Sequence, residues 1–306
     1  IAIKGVAMAF QSRGKHIVTS AIEHASVLEP CKQLEKFGFE VTYVPVDSDG
    51  RVSVADVKKA VRNDTILVSI MQVNNEVGSI QPIEEIGEFL KKKDKVFFHV
   101  DFVQGVNKVP LRIKESGIDL CSLSAHKFHG MKGTGILYVR DGIRLSPLFS
   151  GGNQERKLRS GTENVAGAVS CAKALRMSFE AMNQNGEQLS KIHSFLRTEL
   201  KKINGIIINS PESHCAPHIL NFSVPKIKSE VLVHALEDRQ IYVSTTSACS
   251  SKQKTFSDTI LMMTNDEELA ISSIRISLSY ENTMEEAKRF IAELKIVLGN
   301  LKEVMR

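Results

Sequence analysis

TILVSIMQVNNEVGSIQPIEEIGEFLKKKDKVFFHVD, residues 65–101, reads as a strand, a turn, a helix and a second strand. Its two apolar runs, TILVSI (65–70) and VFFHVD (96–101), are nearly continuous, as strands buried on both faces require. Between them, Ile83 to Lys92 is amphipathic at helical spacing, and Lys91-Lys92-Lys93 closes it with the positive charge that suits a helix C-terminus. The alternation continues in both directions: HIVTS (16–20), a helix around Val27 to Phe37, VTYVPV (41–46), a helix over Val54 to Val61, and later LCSLS (120–124) and GILYV (135–139). Strands of this kind between amphipathic helices predict an α/β domain with a mostly parallel central sheet. Ligands of such sheets sit beyond the strand C-termini.

The texture changes after the Gly/Ser-rich segment SGGNQERKLRSGT (150–162). A helical pattern from Asn164 to about Asn183 leads to another at Gln188 to Lys202, followed by strands near Ile206, Ile219 to Val224, Ile241 to Val243 and Ser273 to Leu278, and a closing helix over Met284 to Leu298. The expected division is a large α/β domain at 1–165 and a linking helix with a smaller α+β domain at 166–306.

Bulk properties exclude several functional classes. With 306 residues, 42% hydrophobic and 25% charged, the chain has ordinary globular composition and enough length for two cores. Its charge of +5 is spread along the sequence, which speaks against direct nucleic-acid binding. Five cysteines (Cys31, Cys121, Cys171, Cys215, Cys249) are scattered without CxxC pairing or zinc spacing, so a reduced, cytoplasmic protein without a metal site is expected. No apolar run is long enough for a bilayer, and no membrane association is expected. FHGMKGTG (128–135) has three glycines but lacks the GxxxxGK[ST] order and precedes a strand, so it is not read as a nucleotide loop.

Polar residues gather just after the strands of the first domain: Glu23 and His24, Asn74-Asn75-Glu76, Asp101, and Ser124-Ala125-His126-Lys127. Lys127, in a partly buried and cationic neighbourhood, would lose proton affinity and could attack an aldehyde; otherwise it is a lysine snorkelling at a strand end. Asp101 ends an apolar strand, where a carboxylate needs a positive partner such as a protonated pyridine nitrogen, or else serves as a cap or turn residue. His24 could stack on a planar cofactor or be held by a local hydrogen bond. Arg275 stands in SSIRISL (272–278), where its guanidinium calls for a carboxylate from a substrate or from a structural Asp or Glu. Cys249, in STTSACSSK (244–252), has small neighbours and lysines beyond it; Cys215, in SPESHCAP (210–217), is its loop-borne rival, while Cys31, Cys121 and Cys171 sit in apolar patterns.

Taken together, TSAIEHASVL (19–28), VNNEVG (73–78), HVDFVQ (99–104), SLSAHKFHGMKGTG (122–135), RSGTEN (159–164) and SACSS (247–251) resemble the pyridoxal 5'-phosphate (PLP) dependent cysteine desulfurases of the NifS/IscS type, within the fold-type I, class-V aminotransferase-like enzymes. The resemblance implies that Lys127 bonds the cofactor aldehyde, Asp101 pairs with the pyridine nitrogen and His24 stacks on the ring. It places Asn75 and Gln104 at the ring hydroxyl side, Ser124 and His126 at the phosphate, and Thr162 at the phosphate of the neighbouring protomer of a homodimer. Arg275 then binds the carboxylate of L-cysteine, and Cys249 takes the sulfur as a persulfide for an acceptor protein of iron–sulfur assembly or of tRNA or thiamine thiolation.

Two departures accompany the resemblance. The chain opens at Ile1 inside an apolar helical pattern, so the family's upstream Gly-Thr phosphate turn is expected to be missing. Thr246 stands where the family commonly has glycine, and a β-branched residue resists positive φ. Selenocysteine lysis, another small amino-acid PLP reaction, or a truncated pseudoenzyme are the alternatives.

Overall fold

The computed structural model describes residues 1–245 and 256–304 and divides the chain into two units. The first comprises Ile1–Asp47, Arg51–Asn74 and Gln81–Glu180. Its elements are α1 (Ala2–Phe10), β1 (His16–Ser20), α2 (Ala25–Glu35), β2 (Glu40–Val44), α3 (Val54–Ala60), β3 (Thr65–Met71), α4 (Ile83–Leu90), β4 (Phe97–Asp101), β5 (Leu120–Ser124) and β6 (Gly135–Val139). The strands form one sheet in the order β2-β1-β3-β4-β5-β6, parallel throughout except for the antiparallel β6. The mostly parallel sheet expected from the sequence is therefore present.

Side-chain alternation explains the apolar runs. Ile17 and Leu67 join Val6 and Leu34 in one layer, while Val18 and Val68 join Val57, Ile86 and Phe98 in another. Successive residues of β1 and β3 thus serve opposite faces, and a strand needed on both faces has no room for a polar alternate. Each such fully buried side chain contributes roughly 1.5–3 kcal/mol. Helix α4 buries Ile83, Ile86, Gly87 and Leu90, the i, i+3, i+4, i+7 stripe. Gly87 is required there, because a Cβ would fall 1.7 Å from Ser116 O.

The second unit comprises Ser48–Gly50, Asn75–Ile80 and Ala181–Arg306. Helix α5 (Val165–Lys201) runs from the first unit into it. Then follow β7 (Ile207–Ile208), β8 (Ile219–Ser223), α6 (Ser229–Glu237), β9 (Ser244–Thr245), α7 (Asp258–Thr264), α8 (Glu267–Ile271), β10 (Ser273–Ser277) and α9 (Met284–Val304). An antiparallel sheet, β7-β8-β10-β9, packs on Leu196, Leu200, Leu232, Leu236, Phe290 and Leu294.

Two sequence expectations are corrected here. The two helices expected at 164–183 and 188–202 are one, since Asn183 to Gly186 lowers helix propensity without breaking the hydrogen-bond ladder. The strand expected at 241–243 pairs only at Ser244–Thr245, because Ile241 N already donates to Leu236 O at 3.0 Å, closing the end of α6. Helices α6, α7 and α8 have no counterpart in the sequence reading.

Candidate active site

In the first unit the polar residues singled out by sequence collect at one edge of the sheet, beyond the C-terminal ends of β1, β4 and β5. Asp101 closes β4; it is 8% exposed, and its Oδ1 accepts from Val103 N at 2.9 Å. Burial raises the Asp101 pKa, opposed by that hydrogen bond and by the charges of His24 and Lys127. No salt bridge to Asp101 occurs among the described residues. The turn role considered for Asp101 is thus realised, and it leaves the second oxygen for another partner.

His24 is the N-cap of α2. Its Nδ1 accepts from Ser26 N at 3.1 Å and lies 2.8 Å from Ser26 Oγ, so one ring edge is fixed and the ring itself stays exposed. Beyond β5 the chain makes one 3-10 turn, Ala125–Phe128, which carries His126 and Lys127 outward while Ala125 and Phe128 are buried. Ser124 Oγ lies 2.8 Å from His126 Nδ1. Burial, then Lys127 and Lys132, lowers the His126 pKa, which favours the neutral imidazole. Gln104 is half-buried in the turn after β4, and Thr162 is exposed ahead of α5.

Glu23 was visible in the sequence as part of this rim but received no role. It is 5% exposed; Oε1 accepts from Ser20 Oγ at 2.7 Å and from Met71 N at 2.8 Å, tying the ends of β1 and β3. Its Oε2 is buried without a partner among the described residues, and desolvation pushes the pKa to about 8.

The second unit holds Asn75 and Arg275. Arg275, in β10, donates from Nη1 to Asn75 O at 2.9 Å and from Nη2 to Ser244 Oγ at 3.1 Å, while Nε is buried and without a partner among the described residues. Its hydrogen-bond partners are a carbonyl and a hydroxyl, and the Glu76 carboxyl interacts with it electrostatically without forming a close ion pair among the described residues. Glu76, next in the chain, accepts from Ser257 Oγ and Thr259. Cys249 and Thr246 lie outside the described residues. Cys215 is half-buried, 3.8 Å from His193 Nε2, and burial raises its pKa, which makes it a poor nucleophile. Cys31 and Cys121 are buried, each with its pKa pushed to about 12. A cavity of about 660 Å³ in the first unit is lined by Leu90, Ile118, Asp119 and Arg140 among others, and by none of these groups.

A sequence model of the class-V aminotransferases matches residues 1–290, nearly the whole chain. The chain belongs to that family, in its NifS/IscS cysteine desulfurase branch. The cysteine desulfurase IscS of Dictyoglomus turgidum is 43% identical over 99% of this chain and 77% of its own length. A NifS/IcsS protein homolog of Lactobacillus delbrueckii subsp. bulgaricus is 47% identical over 99% of this chain and 79% of its own. Among solved structures, a NifS-like protein matches with a TM-score of 0.90 and 40% identity, over 97% of this chain and 79% of that one. The fold is accordingly the fold-type I architecture of class-V aminotransferases, a PLP-dependent group.

Proposed function

We propose that this class-V family member is a PLP-dependent cysteine desulfurase that converts L-cysteine to L-alanine and holds the sulfur as a persulfide on Cys249 for an acceptor protein. The observation that carries the reading is Asp101. Its carboxyl is buried at the end of β4, burial disfavours its charge, and Lys127 and His24 act on it electrostatically. A protonated pyridine nitrogen supplies the close positive partner that this carboxylate lacks among the described residues, so the residues present fit the cofactor.

When bound, PLP supplies an aldehyde that condenses with amines and a pyridinium that draws electrons from the substrate α-carbon. Asp101 keeps the ring nitrogen protonated, and His24, its Nδ1 fixed by Ser26, offers the exposed face of its ring for stacking. Asn75 and Gln104 would address the ring hydroxyl side, and Ser124 with His126 would hold the phosphate. Thr162 reaches the phosphate of a neighbouring protomer, which makes the working form a homodimer. Arg275 binds the substrate carboxylate, its orphaned Nε providing an unspent donor. Lys127 carries the cofactor at rest and afterwards moves a proton at the α-carbon through Nζ. The Cys249 thiolate bonds to the substrate sulfur as the Cβ–S bond breaks, and the electron pair left on Cβ takes a proton. Cysteine plus enzyme thiol thus gives alanine plus enzyme persulfide, balanced in atoms and electrons.

Cys31, Cys121, Cys171 and Cys215 are free thiols, which fits a reducing, cytoplasmic setting. No helix among the described residues is long and apolar enough to cross a membrane.

The test is an absorbance spectrum of the chain with added PLP, before and after cysteine, with alanine quantified in the same tube. The visible cofactor band is expected in the wild type and lost in Lys127→Ala, and alanine is expected only with Cys249 intact. A chain that binds PLP yet forms no alanine from cysteine overturns the reading. Activity of Cys249→Ser on selenocysteine, with none on cysteine, separates the two substrates.

A further inference from the structure

Both flanks of residues 246–255 are tied to the same short segment, Asn75–Ile80. On one side, the guanidinium that donates to Ser244 Oγ at 3.1 Å also donates to Asn75 O at 2.9 Å. On the other, Ser257 Oγ donates to Glu76 Oε2 and accepts from Ile260 N at 3.0 Å, capping α7. Thr259 gives the Glu76 carboxylate a second hydroxyl donor.

The segment is a firm anchor, for its carbonyls are taken one after another. Asn221 Nδ2 donates to Glu76 O at 3.1 Å, Ser210 Oγ to Val77 O at 2.6 Å, and Ala216 N to Gly78 O at 2.8 Å. Asn221 is fully buried in β8 and stands opposite Arg275 in the β8–β10 register. Two hydroxyl donors converge on one side chain, whose carboxyl oxygens accept from both. An amide oxygen, with two lone pairs, can accept from both as well, whereas a methyl group accepts from neither.

We propose that Glu76 is a positioning residue for sulfur transfer, fixing the Ser257 flank of the Cys249 segment to the same anchor that fixes Arg275. The proposal rests on the desulfurase reading for the roles of Cys249 and Arg275. Substrate recognition and sulfur acceptance are then referred to one rigid strap of chain. Loss of the Glu76 carboxylate disturbs acceptance more than recognition, because Arg275 loses an electrostatic neighbour but keeps its hydrogen bonds to Asn75 O and Ser244 Oγ.

The experiment uses the full PLP-loaded chain and its Glu76→Ala, Glu76→Gln, Ser257→Ala and Glu76→Ala/Ser257→Ala variants. It reads kcat and KM for alanine formation, the rate at which iodoacetamide alkylates Cys249 with and without PLP, and thermal unfolding. The expected result for Glu76→Ala is a kcat at least tenfold lower, a KM within about threefold of wild type and a several-fold change in the Cys249 alkylation rate. Glu76→Gln is expected to recover most of the kcat, and the double variant to be no worse than Glu76→Ala. If Glu76→Ala does not fold, Glu76→Gln and Ser257→Ala carry the comparison. An unchanged kcat with unchanged alkylation, proportional changes in kcat and KM, or additive losses in the double variant overturn the proposal. Wild-type chain that makes no alanine sinks the desulfurase reading instead, while the alkylation rates still report on Glu76.

Discussion

At the residue scale, the site is built from side chains that do two jobs. His24 caps α2, and Asp101 closes a turn onto Val103 N, so the local roles considered from sequence coexist with an outward-facing ring and a spare carboxylate oxygen. The motif letters made these residues legible. Glu23 was legible only as a polar letter, because its meaning comes from Met71, forty-eight positions along the chain, and from a burial that no local pattern announces. Its titration gives a clear prediction. The folded chain holds the Glu23 proton up to about pH 8, whereas the unfolded chain releases it near pH 4.5. Between those values the folded state binds more protons, so the Glu23 contribution to stability falls as pH rises through that window. Glu23→Gln, neutral at every pH, is expected to be more stable than wild type at pH 8 by on the order of 4 kcal/mol, with the difference shrinking toward pH 5. Denaturant unfolding of both chains across that range measures it; parallel stability curves would show that Glu23 is already ionised in the folded protein.

His99 supplies the opposite slope. It is buried between Ser69 Oγ and Ser122 Oγ, 2.8 Å from each, and burial pushes its pKa down to about 3. The unfolded chain takes up this proton near pH 6.5, so the stability this neutral histidine contributes is present above that value and is lost as pH falls below it. Acid unfolding beginning below about pH 6 and moved to lower pH in His99→Asn, at a cost in stability of roughly 1–2 kcal/mol at pH 7, is the expected outcome.

At the element scale, what the sequence revealed follows from period and length. The strands of the first unit are apolar on both faces and announced themselves, as did α4 with its i, i+3, i+4, i+7 stripe. The short helices of the second unit did not: α7 has seven residues and α8 five, too few for a period to repeat. Their signals are the caps, Ser257 accepting from Ile260 N and Asp266 accepting from Glu268 N and Leu269 N. The break expected between Asn183 and Gln188 contains Gly186. That glycine sits inside a 37-residue helix, and a Cβ there would meet nothing within 4 Å. Gly186→Ala is therefore expected to stabilise the chain by about 0.5–1 kcal/mol, seen as a higher denaturation midpoint with an unchanged slope. A loss of stability would mean that the glycine serves a packing role.

At the scale of the whole molecule, the second unit is not a continuous stretch of sequence, and its stability is expected to depend on that. Its sheet and helices lie after Ala181, but Asn75–Ile80 comes from more than a hundred residues earlier and supplies buried acceptors to Arg275, Asn221 and Ser210. The fit is close: Gly78 is left-handed at φ +78°, and a Cβ on it would stand 3.1 Å from Ile219 Cβ. No periodicity within 75–80 foretells this, because the segment's partners are all distant. A fragment of residues 181–306 keeps every strand of the smaller sheet yet leaves these three donors, and the Ser257 hydroxyl, without their acceptors. Each orphaned group costs about 1–3 kcal/mol, and together they rival the whole stability of a typical domain, about 5–15 kcal/mol. The fragment is expected to lack amide dispersion by NMR and to melt without a cooperative transition, while the full chain melts cooperatively. A fragment with a dispersed spectrum and a sharp transition would show that the strap is dispensable for folding, and would leave its hydrogen bonds to be explained by the site they hold in place.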